Sequence, residues 1–296
     1  MPRRRGKAEK TLLLEQAILQ IVEARHPVTV RGVCYALFAE GLIESMAVKE
    51  TGRISRVMTE MRETGLLDWT RIVDGSREAI HPLVWNDPDE RIAHAVRNYR
   101  RDNWQEQPYH VEVWSEKSTV QGVLAPVLDE YGVTFRVMKG FGSYTAVRQA
   151  AEDSIDAPGG KPYVALYLGD WDPSGLFMST VDLPGRLGRY GGEWLLVRIA
   201  LLDDDLACIP HFDSATKRTD GRFDWYLENT TSDPSKAWEL DAMDPNDLRQ
   251  RVEDEITSLI DHDAWDRAIE VEAAEVESMG EFHRSWKASK RVGGGR

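Results

Sequence analysis

The sequence predicts an α/β protein, and three observations carry that prediction. Helical periodicity fills the first 65 residues. From residue 109 onward, short apolar runs alternate with amphipathic stretches. One of those runs, "VALYLGDWDPSGLFM" at residues 164–178, ends by placing two aspartates one residue apart. Alternation of strand and helix at short spacing gives an open, mainly parallel sheet with helices on both faces, and such sheets collect their functional groups at the carboxyl ends of the strands.

The elements follow in order. Residues 9–24, "EKTLLLEQAILQIVEA", carry apolar positions at helical spacing. Thr29 is placed to cap a second helix that ends near Gly41, and "KETGRISRVMTEMRETG" is a third helix closed by Gly65. "LLDWTRIVDGSREAIHPLVW" alternates around "DGSR", a hairpin signal. Three helices and a hairpin are the winged-helix order, in which the third helix faces DNA, with Lys49, Arg53, Arg56 and Arg62 on hand for phosphates or base edges. A plain helical subdomain with solvated arginines, or a protein-binding module, has the same pattern.

"DPDERIAHAVRNYRRDNW" is a linking helix. After it come "YHVEVWS" as strand, "TVQGVLAPVLDEYG" as helix, "VTFRVM" as strand and "SYTAVRQAAEDSI" as helix. "KPYVALYLGD" is a strand, "GLFMSTVDLPGRLGRY" a helix and "EWLLVRIAL" another strand. The expected domains are 1–86, a linking helix over 87–107, an α/β domain over 108–281 with an acidic C-terminal part, and a basic tail over 282–296.

Composition narrows the function classes. The net charge of −13 is local: residues 201–281 hold 23 acidic and 7 basic residues, so the remaining chain sums to about +3. Total charge therefore does not exclude a nucleic-acid partner, and the acidic run is also what a solvated surface looks like. No apolar run approaches membrane-spanning length, and "MPRRRGKAEK" has no apolar region behind its basic residues, so neither a membrane helix nor a signal peptide is expected. Cys34 and Cys208 are too few for a disulfide framework, which points to a reducing, cytoplasmic setting. The histidines show no ligand spacing, so zinc is not expected. No phosphate-binding P-loop is present, and "KGFGSY" is too short a glycine pattern for a dinucleotide site.

Glu116 lies just past the first strand of the sheet, in "VEVWSEKS", and Asp170 and Asp172 lie past the third. Three carboxylates at one sheet edge repel unless a cation sits among them, and oxygen ligands of this kind suit Mg²⁺, or Mn²⁺ in its place. An acidic helix N-terminus would account for the aspartates without any metal.

The Glu of "SEKS" and the run "GDWDPSG" resemble a Toprim domain, the metal-binding module of topoisomerases and primases. The wider layout resembles the branch containing the topoisomerase VI A subunit and the transesterase that makes meiotic double-strand breaks. There a winged-helix domain precedes the Toprim domain, and the nucleophile lies in a helix with the pattern T-x-R-x-x-(aromatic)-Y. Here "TVRGVCY" supplies Thr29, Arg31 and Tyr35, with Cys34 at the aromatic position. "KGFGSY" resembles the family's glycine-rich turn, and "ATKRTDGR" and "AWELDAMDPNDL" resemble segments near the end of its Toprim domain. The resemblance spans roughly residues 10–260.

It implies Mg²⁺-dependent double-strand cleavage through a tyrosyl-phosphate ester. Tyr35 would be the nucleophile and Arg31 the phosphate ligand, with Glu116 as acid or base and the metal on Glu116, Asp170 and Asp172. It further implies a homodimer in which Tyr35 of one copy serves the metal site of the other, association with the nucleoid, and a separate B-type ATPase subunit. Arg31, four residues before Tyr35, shares its helix face. Two alternatives stay open: a Toprim nuclease that cuts by hydrolysis, and a non-catalytic DNA-binding subunit. In either, Tyr35 of "VCYALF" is an aromatic in a helical core.

Overall fold

The computed structural model describes residues 9–73, 83–138, 144–155, 160–213 and 219–293. They form two units, one of residues 1–77 and 111–258, the other of residues 78–110 and 259–296.

The first unit begins with three helices. In α1 (Glu9–Arg25), Leu14, Ile18, Ile21 and Val22 are buried. Their spacing is that of one helix face. Strand β1 (Val28–Thr29) leads into α2 (Val30–Ala39), where the Thr29 hydroxyl accepts from Gly32 N at 2.9 Å, the expected cap. Both α2 and α3 (Val48–Glu63) end in a Schellman arrangement, with Gly41 and Gly65 at φ +70° and +74°. In the first, Leu42 N donates to Leu37 O at 2.8 Å; in the second, Leu66 N donates to Met61 O at 2.8 Å. Val33, Leu37, Ile54, Met58 and Met61 close the core against α1.

Only part of the expected hairpin lies among the described residues. Its first arm is a single 3₁₀ turn, Trp69–Arg71, followed by strand β2 (Ile72–Val73), which pairs in parallel with β1. Asp68 accounts for the turn, accepting from Thr70 N at 2.8 Å. The "DGSR" tip, residues 74–77, lies outside the described residues. Helix α4 (Pro88–Arg97) comes next in the chain and belongs to the second unit.

The sheet of the first unit contains β3 (His110–Ser115), β4 (Thr134–Val137), β5 (Tyr163–Leu168) and β6 (Trp194–Ala200) in the order β4-β3-β5-β6. Strands β3 and β4 pair in parallel, as do β5 and β6. Helix α5 (Thr119–Tyr131) connects β3 to β4, and α6 (Tyr144–Ile155) lies between β4 and β5. Every residue of β5 is buried, which is why it reads as one continuous apolar run. The strand order reverses between β3 and β5, so a crevice opens beyond their carboxyl ends. The fold is thus mixed α/β with a mainly parallel sheet, as the alternation predicts.

After β5 the chain enters α7 (Pro173–Phe177), passes through a π turn at Met178–Asp182 and continues as α8 (Leu183–Arg189). Strands β7 (Phe212–Asp213) and β8 (Lys236–Ala237) pair antiparallel, with α9 (Phe223–Asn229) between them in sequence. Helix α10 (Pro245–Ser258) ties the N-terminal helices to the sheet. Arg249 donates to the carbonyls of Arg25, Pro27 and Val123 at 3.3, 3.2 and 3.2 Å, and Asn246 donates to Ala24 O at 2.9 Å.

In the second unit, α4 is capped by Asp87, which accepts from Glu90 N at 2.9 Å, and runs beside α11 (His262–Gly293). Asp89 accepts from His283 at 2.7 Å and from Lys287 at 2.9 Å, and Glu275 takes Tyr99 and Arg101 at 2.7 Å each. The linking helix and the basic tail of the sequence reading thus share one unit, and the expected boundary at 281/282 falls inside α11. No described helix is long and apolar enough to cross a membrane.

Gly175 sets how closely α7 can start against the end of β5. A Cβ there would lie 2.4 Å from the Asp170 carbonyl oxygen, a backbone atom with little room to yield. Gly175→Ala should therefore destabilise the first unit by about 1–3 kcal/mol in urea unfolding; an unchanged midpoint would show that the loop repacks at no cost.

Candidate functional site

Asp170 and Asp172 leave β5 at the crevice, and both are buried, at 8% and 4% exposure. A buried carboxylate is tolerated only when its oxygens find donors. Asp172 caps α7, accepting from Gly175 N at 2.8 Å. Asp170 accepts from Leu240 N at 2.7 Å and from the Lys117 ammonium at 2.8 Å. Burial pushes the Asp170 carboxyl above its ordinary range, against the pull of Lys117 and the Leu240 N–H.

Arg198, on the neighbouring strand β6, holds the loop from beneath. Its guanidinium donates to the carbonyls of Gly169, Asp170 and Leu201 at 2.7, 2.6 and 2.9 Å. It also reaches Ser179 Oγ at 2.8 Å and the Gly175 carbonyl at 3.2 Å. Burial lowers the Arg198 pKa, while Tyr167, Asp170, Asp172 and Glu116 pull it back up. Tyr167 feels the same carboxylates: burial first, then Glu116, Asp170 and Asp172 raise its phenol pKa. Its hydroxyl is buried and has no hydrogen-bond partner among the described residues.

Two further carboxylates reach this edge. Trp171 and Trp238 exchange backbone hydrogen bonds at 2.9 and 3.1 Å, which lays the segment after β8 along the aspartate loop. That pairing delivers Glu239 and Asp241. Lys117 lies 2.9 Å from Asp241, 2.8 Å from Asp170 and 3.8 Å from Glu239. Burial alone would lower the Lys117 pKa, but Asp241, Asp170 and Glu239 outweigh it and hold the ammonium charged well above its ordinary range. Glu239 in turn takes the Arg31 guanidinium as a fork, with both N···O distances 2.5 Å. Sequence reasoning quoted "AWELDAMDPNDL" without giving these carboxylates a role. Their one-residue spacing, the same as that of Asp170 and Asp172, was the signal on offer.

This chain of ion pairs leads to Tyr35. The Arg31 guanidinium carbon stands 5.7 Å from the centre of the Tyr35 ring, one helical turn along α2. The ring is 3% exposed, and the hydroxyl is buried with no hydrogen-bond partner among the described residues. Burial, then the charge of Glu239, push the phenol above its ordinary pKa, opposed by Arg31 and Lys117. The side chain also lines a cleft of about 310 Å³ with Arg25, Asp205, Cys208, Asp244 and Arg251.

The structure places Glu116, Asp170 and Asp172 so that each contributes to the electrostatic surroundings of Tyr167 and Arg198. It does not close them into a chelate: among the described residues no three His, Cys, Asp or Glu side chains are placed to hold an ion. An internal cation, Lys117, engages Asp170, and Asp172 caps its helix. In kind the donors remain those of a hard divalent cation, all carboxylate oxygens around an orphaned hydroxyl.

On α3, Lys49, Arg53 and Arg56 are exposed. Arg53 reaches Glu50 at 2.8 Å and Arg56 reaches the Gly52 carbonyl at 3.2 Å, and both remain open to solvent. Arg62 is a correction to the sequence reading. It is 9% exposed, with its guanidinium carbon 4.7 Å from the centre of the Trp69 ring, because the 3₁₀ turn folds the indole over it. Unlike Arg53 and Arg56, it packs on an indole instead of standing open to solvent.

Comparisons with family models, with curated proteins and with solved structures found no match. The reading of this site therefore rests on its own residues.

Two substitutions check the geometry. Tyr35→Phe removes a hydroxyl that has no hydrogen-bond partner of ordinary geometry among the described residues, so the melting temperature should stay level or rise, by up to about 1 kcal/mol in stability; a fall would reveal a partner, the Arg31 guanidinium first. Arg62→Ala should cost about 1–2 kcal/mol through lost stacking and stem packing, whereas Arg53→Ala should change stability by less than about 0.5 kcal/mol. Equal effects at the two positions would contradict the burial of Arg62.

Proposed function

We propose that this chain cuts double-stranded DNA by tyrosyl transesterification, as a protein of the topoisomerase VI A-subunit type, with α1–α3 as its winged-helix module and the β3–β6 sheet as its Toprim domain. One observation carries the reading. A single run of ion pairs, Arg31–Glu239–Lys117–Asp170, links the helix bearing Tyr35 to the carboxylates at the switch point of the sheet. Nucleophile, phosphate-binding cation and carboxylate cluster are the three parts such a reaction needs, and one chain supplies all three, Tyr35 of one copy serving the carboxylates of the other in the homodimer.

In this mechanism Lys49, Arg53 and Arg56 hold the duplex by its phosphates. Arg31 binds the scissile phosphate in its fork, above the Tyr35 ring. The Tyr35 oxygen gives its proton to the Glu116 carboxylate as it bonds to phosphorus, and Glu116 returns that proton to the deoxyribose oxygen that leaves. Arg198 keeps Asp170 and Asp172 in place through the carbonyls of their loop. Glu116, Asp170 and Asp172 would hold Mg²⁺ or Mn²⁺, which polarises the phosphate when bound. A homodimer with a separate ATPase subunit completes the proposal.

The burial of the Tyr35 hydroxyl favours a second reading, a DNA-binding chain in which Tyr35 is core and no covalent step occurs. A supercoiled-plasmid assay with Mg²⁺, analysed after denaturation and with a B-type ATPase partner added, separates the two. The wild type should cut and leave a covalent protein–DNA adduct. Tyr35→Phe should lose both while keeping DNA affinity, and Asp170→Asn should be inactive. Full cutting by Tyr35→Phe ends the transesterase reading in favour of hydrolysis, and no cutting by the wild type leaves the binding module.

DNA affinity should fall steeply with salt, and Arg53→Ala and Arg56→Ala should each reduce the slope by about one, with Arg62→Ala leaving it unchanged. An affinity that does not vary with salt would remove the winged-helix assignment.

A further inference from the structure

Arg31 presents its Nε and Nη2 to the two oxygens of one carboxylate, at 2.5 Å each. This is the planar, two-point geometry in which a guanidinium takes two oxygens of a phosphate. The occupant, Glu239, comes from 208 residues further along the chain. It is also 3.8 Å from a second cation, Lys117. Arg31 retains 46% side-chain exposure, against 18% for Glu239, so the fork is reachable from solvent.

We propose that Glu239 is an internal surrogate for a phosphodiester, and that Arg31 and Lys117 form an anion site which a DNA phosphate takes over by displacing the Glu239 carboxylate. The proposal rests on the DNA-cleaving reading above and assigns its regulation to one side chain.

Three features support the exchange. A carboxylate and a phosphodiester each bring one negative charge, so the locus keeps its balance when one replaces the other. The Arg31 side of the pair is the open one, so an incoming anion meets the guanidinium from solvent. Lys117 keeps Asp170 and Asp241 at 2.8 and 2.9 Å when Glu239 leaves, so no buried cation is stranded. The pair also sits over Tyr35, with the Arg31 guanidinium carbon 5.7 Å from the ring centre. A phosphate that enters the fork therefore stands over the Tyr35 ring.

The test compares wild type, Glu239→Gln and Glu239→Gln/Arg31→Ala. Two probes are used: inorganic phosphate, followed by thermal shift, and a short DNA duplex at fixed salt. Glu239→Gln keeps the shape of the side chain and removes its charge. It should raise affinity for phosphate and for duplex on the order of tenfold, the factor by which a self-occupied site weakens its ligand. The gain should vanish when Arg31 is also replaced. Glu239→Ala, which cannot hydrogen-bond to Arg31, should show a gain of the same sign.

No gain in either Glu239 variant, or a gain that survives in Arg31→Ala, overturns the surrogate. A gain for phosphate with no duplex binding in any variant supports the anion site and removes the DNA reading instead, so the two failures are told apart.

Discussion

Lys117 brings one ammonium within 2.8 Å of Asp170 and 2.9 Å of Asp241, and much of the first unit is arranged around that contact. Asp170 ends β5, Lys117 follows β3, and Asp241 belongs to the segment after β8, so three stretches distant in sequence meet at one charge. Removing water from two carboxylates and an ammonium is costly, and their mutual attraction offsets that cost only if every remaining oxygen finds a donor. The Leu240 N–H is a second donor to the Asp170 oxygen that Lys117 engages, and the Trp171–Trp238 pairing places Leu240 there.

Arg198 solves the complementary problem. The loop that turns β5 into α7 turns its carbonyls to the interior, and a buried carbonyl without a donor costs about as much as a lost hydrogen bond. One guanidinium answers the carbonyls of Gly169, Asp170, Gly175 and Leu201 together. In return the carboxylates nearby stabilise its own buried charge. The close start of α7, which excludes a side chain at Gly175, is part of the same packing.

The acidic run over residues 201–281 acquires a structural meaning from these contacts. Asp205, Glu239, Asp241 and Asp244 pair with Arg251, Arg31, Lys117 and Arg25 respectively. Three of those cations belong to the first 120 residues, so the surplus of acid late in the chain complements basic residues placed early. In the second unit, Glu272 and Glu275 do the same for Arg100 and Arg101. A solvated acidic surface describes only part of the run.

Local physics was legible in the sequence. The buried face of α1, the Thr29 cap, the glycines at the ends of α2 and α3, the alternation from β3 to β6 and the aspartates at the tip of β5 all depend on interactions within a few residues, which composition and spacing encode directly. Tertiary structure alone decided which charges would find each other. Arg62 and Arg53 are the same residue type on one helix, yet Arg62 is covered by Trp69, whose position depends on a turn beyond the helix. Glu239 and Asp241 enter the site through backbone pairing with a segment some 70 residues away. Lys117, to which the sequence assigns no role, takes Asp170 because the strand order puts β3 beside β5. Periodicity records which face of an element is buried, whereas the partner of a buried charge is fixed by a balance of desolvation and attraction that exists only once the chain has folded.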